Sequence, residues 1–242
     1  MNVRRLLLCT LLAAGAAVAQ QAAAPAANRF GVGFQASTLG PQAQFAVTVL
    51  PSADVRVGFS DFHFSDSFEQ DGINYDGRLQ LRSLSAQLDW FFWKSFHLSP
   101  GALLYNGNQL TATAGVGPGA SFTLGGVAYT GDPNSPLTGT GTAKVRRFAP
   151  MFTVGSGRLV GQHGGHFGLS VEAGLVDEGA PQALLSLSGN VCPVGAPTCE
   201  PASSPDVQTN LVEEQNKLNA QISSHWYAKF YPILGLGLHF SF

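Results

Sequence analysis

The 242-residue sequence predicts an all-β chain closed into an antiparallel up-and-down β-barrel. Three observations carry that expectation. Short segments place large apolar residues at every second position, the period of a strand. Charged residues make up 12% of the chain, about half the ~25% usual in soluble domains, while glycine is abundant at 29 residues. After the first twenty residues, no apolar run nears the ~20 needed for a membrane-spanning helix.

The first residues set the compartment. Arg4 and Arg5 precede an apolar stretch from Leu6 to Val18, and Ala17-Val18-Ala19 ends it. A basic start, a short apolar segment and a small-x-small site describe a cleaved export signal over 1–19, with 20–28 as a flexible lead and 29–242 as the barrel. Cys9 leaves with the signal. Cys192 and Cys199 remain, and an oxidising compartment favours a disulfide between them over a two-cysteine metal site. Net charge of −2 offers no handle for nucleic acid.

Eight strands fit near 29–38, 41–50, 53–64, 76–92, 95–106, 143–157, 165–177 and 227–242. The segment around Phe167, Leu169, Val171, Ala173 and Leu175 alternates most cleanly against Gly168, Ser170, Glu172 and Gly174. In 76–92 the polar set slips phase between Arg82 and Ser83, which a β-bulge there would restore. Pro100 and Pro150 mark a bulge or a strand end. The stretches 65–75, 107–142 and 178–226 become loops. Within them, 182–189 and the "SFTLGGVAYT" segment alternate and form hairpins or strand extensions; if they join the wall, the count rises to ten or twelve. One helix is expected over 205–222, with Ser204 as N-cap, Pro205 at its first turn and a Glu213–Lys217 pair. It caps the mouth, plugs the lumen, meets a partner or packs on its own loop.

The faces decide the orientation. Leu234, Leu236, Leu238, Phe240 and Phe242 share one side of the last strand, opposite Ile233, Gly235, Gly237, His239 and Ser241. The second face is too poor in charge for a wet exterior, but it suits a crowded lumen. The bulky face then meets lipid, as in a transmembrane barrel. Aromatic groups at Trp90–Phe96 and Trp226–Tyr231 suit the two membrane–water interfaces. A soluble secreted barrel is the architectural rival.

Taken with the export signal, the chain resembles small bacterial outer-membrane β-barrel proteins of the OmpA/OmpW type. The terminal "LGLGLHFSF" is similar to the signal those proteins present to the barrel assembly machinery, so the resemblance assigns Leu236, Leu238, Phe240 and Phe242 to assembly. It implies a place in the Gram-negative outer membrane, contact with its lipid and surface ligands met by loops.

Arg56, Arg78, Arg82, Asp89, Arg147 and Glu172 are expected to form a lumen network, because unpaired charges in a barrel interior are costly. Glu172 is the acceptor expected for an arginine. Either the network is structural or it lines a narrow, porin-like passage for small solutes; eight strands leave an interior just filled by side chains, which favours the first. His166, Ser170 and Glu172 carry the residue types of a lipid-modifying hydrolase, but His166 and Ser170 stand about 13 Å apart along a strand. The expectation is therefore a non-enzymatic barrel without a cofactor. Asp66, Glu69, Asp71 and Asp76 group oxygens without the EF-hand spacing, and the glycine-rich loops lack a strand-to-helix phosphate context.

Overall fold

The computed structural model describes residues 29–70, 73–161 and 166–242. The export signal, the lead and Asp71 lie outside them, as does the His166 side chain. Eight strands close a ring: β1 (Phe30–Ser37), β2 (Gly40–Leu50), β3 (Ala53–Gln70), β4 (Ile73–Trp93), β5 (Phe96–Asn106), β10 (Ala149–Ser156), β11 (His166–Asp177) and β15 (Phe230–Ser241). Each pairs antiparallel with the next, and β15 returns to β1, where Gly31 faces Ser241 and Ser37 faces Gly235. Closure satisfies every wall strand on both sides and leaves no edge. The described chain enters and leaves at one end of the barrel, here the terminal rim, with short connections at 51–52 and 94–95. The long insertions rise from the opposite loop rim.

The eight expected wall strands are all present, with one shortened. The stretch 143–157 divides, because β9 (Leu137–Lys144) ends before the wall begins again at Ala149. Three sequence expectations change. First, β3 and β4 pair without slippage from Ala53↔Trp90 to Gln70↔Ile73, so no bulge sits at Arg82–Ser83. The register shift falls between Leu84 and Ser85, against β5, where Leu104 is the extra residue. Second, 65–70 and 73–75 are not loop but strand, the upper half of the paired β3 and β4. Third, β6 (Gln109–Val116) follows β5 after two residues, and β12 (Gln182–Ser188) occupies the alternating 182–189 segment. β6 pairs with upper β4, β9 with β6 and β12 with β9, so the wall extends beyond its rim as a five-stranded sheet.

A small second sheet covers part of this extension. It contains the expected "SFTLGGVAYT" hairpin, β7 (Ser121–Leu124) and β8 (Val127–Gly131), with β13 (Asn190–Pro193) and β14 (Glu200–Pro201). Helix α1 (Pro205–Ser224) lies against it. Val116, Leu137, Leu124, Tyr129, Val191, Val207 and Leu211 form a common core. The helix thus packs on its own loop sheet rather than plugging the lumen. Its Asn219 accepts from Ala183 N (2.8 Å) and donates to Ala183 O (3.0 Å), and Gln215 accepts from Leu185 N. Side-chain amides thereby occupy the open edge of β12, which would otherwise invite further strands. Cys192 and Cys199 form a disulfide closing the loop between β13 and β14. Pro100 sits mid-β5, where the ladder to β4 is interrupted between Gly101 and Leu98, and Pro150 lies one residue into β10.

At the terminal rim, the connection after β10 folds inward. Leu159 and Val160 are buried against Ala46. Gly31 makes room: a β-carbon there would stand 2.1 Å from the Leu159 carbonyl oxygen. Gly31→Val should therefore expel this segment, and limited trypsinolysis of detergent-folded protein should show a new cut after Arg158 that the parent resists.

Candidate functional site

Among the described residues, buried charge converges in the barrel interior. Inward positions of eight strands supply it, and three tiers fill it. In the middle tier, Arg56 of β3 donates from Nε and Nη2 to both Asp89 carboxylate oxygens (2.9 and 3.0 Å) and from Nη1 and Nη2 to both Glu172 oxygens (2.9 and 2.7 Å). One guanidinium thus holds two carboxylates, in the fork geometry that only arginine offers. Neutral donors carry the surplus negative charge. Gln35 and Gln87 donate to Glu172 at 3.1 Å, the Thr153 hydroxyl donates to the same carboxylate, and Ser99 donates to Asp89 at 2.6 Å. Gln44 donates to Gln35 and to Gln42, and Gln42 to Ser85. Space for this comes from Gly235, whose absent β-carbon would stand 2.1 Å from Gln35 Nε2.

Toward the terminal rim, Asp54 faces Asp89 directly across the β3–β4 ladder. Like charges in that position repel. Each is held by its own arginine: Arg56 takes Asp89, and Arg158 donates to Asp54 from Nη2 (2.8 Å) and Nε (3.1 Å). Arg158 also donates to Pro51 O and lies 4.5 Å over the Phe91 ring. Toward the loop rim, Leu39, Leu103, Ala149, Met151, Val176 and Ile233 form a dry apolar tier. Tyr231 packs beside it and donates to Thr38 O at 2.6 Å.

Three residues expected in the lumen lie elsewhere. Arg78 and Arg82 share the face of Leu84, Leu88 and Trp90, which points outward, and Arg82 is half-exposed beside Asp61 at 3.5 Å. Arg147 is exposed at the loop rim. The reason is that the strand keeps its phase while its surroundings change: past the rim, the outward face becomes polar. Sequence reasoning missed the second buried ion pair, Arg158 with Asp54. Arg158 precedes two large apolar residues, Leu159 and Val160, in a segment expected to be a plain turn.

Ser170 is buried on the inward face of β11, and Glu172, the acid a triad would need, is committed to Arg56. In the hairpin, Asp76 accepts from Ser67 Oγ (2.6 Å), and Asp66 lies on the opposite face. Asp132, Cys192 and Cys199 come close enough to suggest metal ligands, but the two sulfurs are bonded to each other, and Asp132 accepts from Asn134 N and Asn190 Nδ2. Those two hydrogen bonds hold the Asp132 carboxyl below its usual range.

No family model matches the chain, and no curated protein is significantly similar to it. Solved structures are. Crystal structures of Acinetobacter baumannii CarO and CarO2 superpose with TM-scores of 0.57 and 0.56 at 17% and 18% identity. They cover 90% and 89% of this chain and 100% and 99% of their own. The likeness is one of fold. It spans nearly the whole of both molecules, so the ring and the large insertions are matched together.

Two predictions arise from the packed interior. Arg56→Met leaves two buried carboxylates without their cation and should cost about 3–5 kcal/mol, read as a lowered urea midpoint in micelles; adding Asp89→Asn and Glu172→Gln should restore most of it. Just beyond β11, Glu178 accepts from Asn106 Nδ2 (2.9 Å), and burial pushes its carboxyl above the ordinary value of 4.5, against hydrogen bonds from Asn106 and Asn108 that pull it down. The folded state therefore prefers the protonated acid, and the stability this gives below pH 4.5 is lost as pH rises through the raised value. Glu178→Gln should be more stable than the parent at pH 7 and equal to it at pH 4, in the same urea assay.

Proposed function

We propose that the protein is an integral outer-membrane β-barrel with a sealed interior, acting as a structural or surface-contact element of the envelope rather than as a pore or an enzyme. The observation that carries this is the filling of the lumen in three tiers. A dry cluster closes the loop rim, the Arg56 network fills the centre, and Arg158 with Leu159 and Val160 closes the terminal rim. Eight-stranded interiors are just wide enough to be filled in this way.

The membrane placement rests on the outward face. Phe34, Phe45, Phe59, Leu88, Trp90, Phe152, Val154, Leu169, Val171, Leu236 and Leu238 are all exposed there, on all but one of the eight wall strands. A soluble monomer rarely exposes more than a few hundred Å² of contiguous apolar surface, whereas a closed barrel in hydrocarbon requires such a band. Aromatic residues flank it. Phe30, Phe167, Phe240 and Phe242 lie in ring contact at the terminal rim, where Trp93 stacks on Phe96, and Tyr105, Phe148, Trp226, Tyr227 and Phe230 stand at the loop rim. The CarO proteins that share the fold are outer-membrane barrels. The OmpA/OmpW-type resemblance is supported by the strand count and the filled lumen. In this reading the loop rim faces the exterior, the terminal rim faces the periplasm, and an export signal over 1–19 delivers the chain. Leu236, Leu238 and Phe242, exposed on the closing strand beside Phe240, are available to the assembly machinery.

The test is direct. The protein should fractionate with the outer membrane, migrate faster on gels before boiling than after, and give no resolved current steps in planar bilayers. Discrete conductance would replace this reading with a small-solute channel. Loss of a lipid species' modification in a Ser170→Ala strain would replace it with a hydrolase.

A further inference from the structure

The sheet above the loop rim has two outer edges, and only one is covered. On β12, Asn219 and Gln215 of α1 occupy backbone groups of Ala183 and Leu185. At the other edge, β3 outlasts its neighbour. β2 pairs with β3 only as far as Gln42↔Ser60, whereas β3 runs on to Gln70 against β4 alone. No described strand pairs with the free side of 61–70, and 61–69 are all exposed. At the foot of the β3–β4 ladder, Phe91 N donates to Ser52 O (2.8 Å), which turns the backbone groups of even-numbered β3 residues toward β4. Those of Asp61, His63, Ser65, Ser67 and Glu69 therefore turn to the open side. Ser67 N shows the consequence: it donates to the adjacent Asp66 carboxylate (3.0 Å) in place of a strand's carbonyl.

Natural sheet edges are blunted by short length, bulges, proline or lysine. The segment 61–70 keeps an unbroken register with β4 and contains neither proline nor lysine. Its side chains suit an added strand. Phe62, Phe64 and Phe68 share one face and are 38%, 55% and 56% exposed, with Leu79 and Tyr75 of β4 beside Phe64 and Phe68. Strand addition takes its affinity from backbone hydrogen bonds and its specificity from alternate side chains of this kind. Charge then selects the strand. Asp61 lies 3.5 Å from Arg82, while Asp66 and Glu69 make no ion pair among the described residues. A second copy fits poorly, since antiparallel self-pairing about Ser65 would set Asp61 of each copy against Glu69 of the other. Like charges directly opposite are destabilising, and a cationic strand avoids them.

Resting on the outer-membrane reading for the side from which a partner approaches, we infer that the open edge of β3 at 61–70 binds an extended cationic segment of another protein at the cell surface. The segment adds as one more strand of the extension, with its apolar side chains on Phe62, Phe64 and Phe68 and its lysines or arginines reaching Asp66 and Glu69.

The test uses the full mature chain in zwitterionic nanodiscs, with empty nanodiscs as the blank. The probe is an acetylated nine-residue peptide that alternates valine with lysine and threonine. It should bind and slow amide hydrogen exchange at Asp61, His63, Ser65, Ser67 and Glu69, leaving β12 unchanged. Methylating two amides on each edge of the peptide removes two bonds whichever way it docks, and should weaken binding about 25-fold, from roughly five-fold per backbone hydrogen bond. Ser67→Pro, whose lost amide lies outside the β3–β4 ladder, and Phe64→Thr should each weaken it at least about five-fold. Glutamates in place of the peptide's lysines should cost about ten-fold, a difference that Asp66→Asn/Glu69→Gln should remove. Unchanged binding of the methylated peptide, unchanged binding by Ser67→Pro, or equal affinity for the glutamate peptide overturns the inference. So does slowed exchange at 61–70 that grows with protein concentration and needs no peptide, which assigns the edge to a second copy. Heat-modifiable migration of each variant shows that the barrel is intact. Failure to fractionate with the outer membrane sinks the earlier reading; failure to bind by a protein that does fractionate there sinks only this one.

Discussion

Closing eight strands into a ring forces half of every strand's side chains into a space only side chains can fill. Once the bulky residues face outward, all the polarity of the wall is committed to that interior, where an uncompensated charge is costly. The shared guanidinium of Arg56 answers this constraint. It neutralises one carboxylate outright and shares the other's charge with amides and hydroxyls, so the centre closes with three charged side chains where independent pairs would need four. The glycines of β15 are part of the same solution, since Gly235 gives Gln35 the room to reach Glu172.

The extension above the rim obeys different rules from the wall, although the same strands build it. β4 trades one neighbour for another near Arg82, pairing with β5 below and β6 above, while its bond to β3 continues unbroken. The register stays constant as the medium changes, so the apolar face swaps sides. Below the rim, Leu84 and Leu88 face outward; above it, Leu79 and Tyr75 lie on the face opposite Arg78 and Gln80. Part of that displaced apolar face is covered by the small sheet and α1, which gives the insertions a core of their own.

This swap also explains what the sequence could and could not reveal. The wall strands were legible because one medium on each side keeps period-two alternation intact over eight to twelve residues, as in Phe167 to Leu175. Arg78 and Arg82 were misplaced because a change of polarity phase looks the same whether the backbone slips or the surroundings invert. Only the partner strand distinguishes the two. Strands β6 and β9 were hidden for another reason. Their packed face is built from Ala112, Ala114, Gly139 and Gly141, too small to signal burial against the threonines opposite. Arg56, Asp89 and Glu172 were legible as interior charges, but their shared geometry was not, because Glu172 comes from β11, on the far side of the ring from the paired β3 and β4. Arg158 escaped because nothing local distinguishes a turn that folds into a barrel from one that hangs below it.

In the proposed reading, a filled lumen moves the question of function outward. Among the described residues, the central charges are spent on one another and on neutral donors, and buried apolar clusters lie on either side of them. Chemistry left over for recognition must then lie on surfaces the barrel does not need for its own stability. Those surfaces include the open edge of upper β3, the rim and the hydroxyl-lined outer face of the extension. The fold spends its buried arginines on closure, while Arg146, Arg147 and Lys229 are exposed and make no ion pair among the described residues.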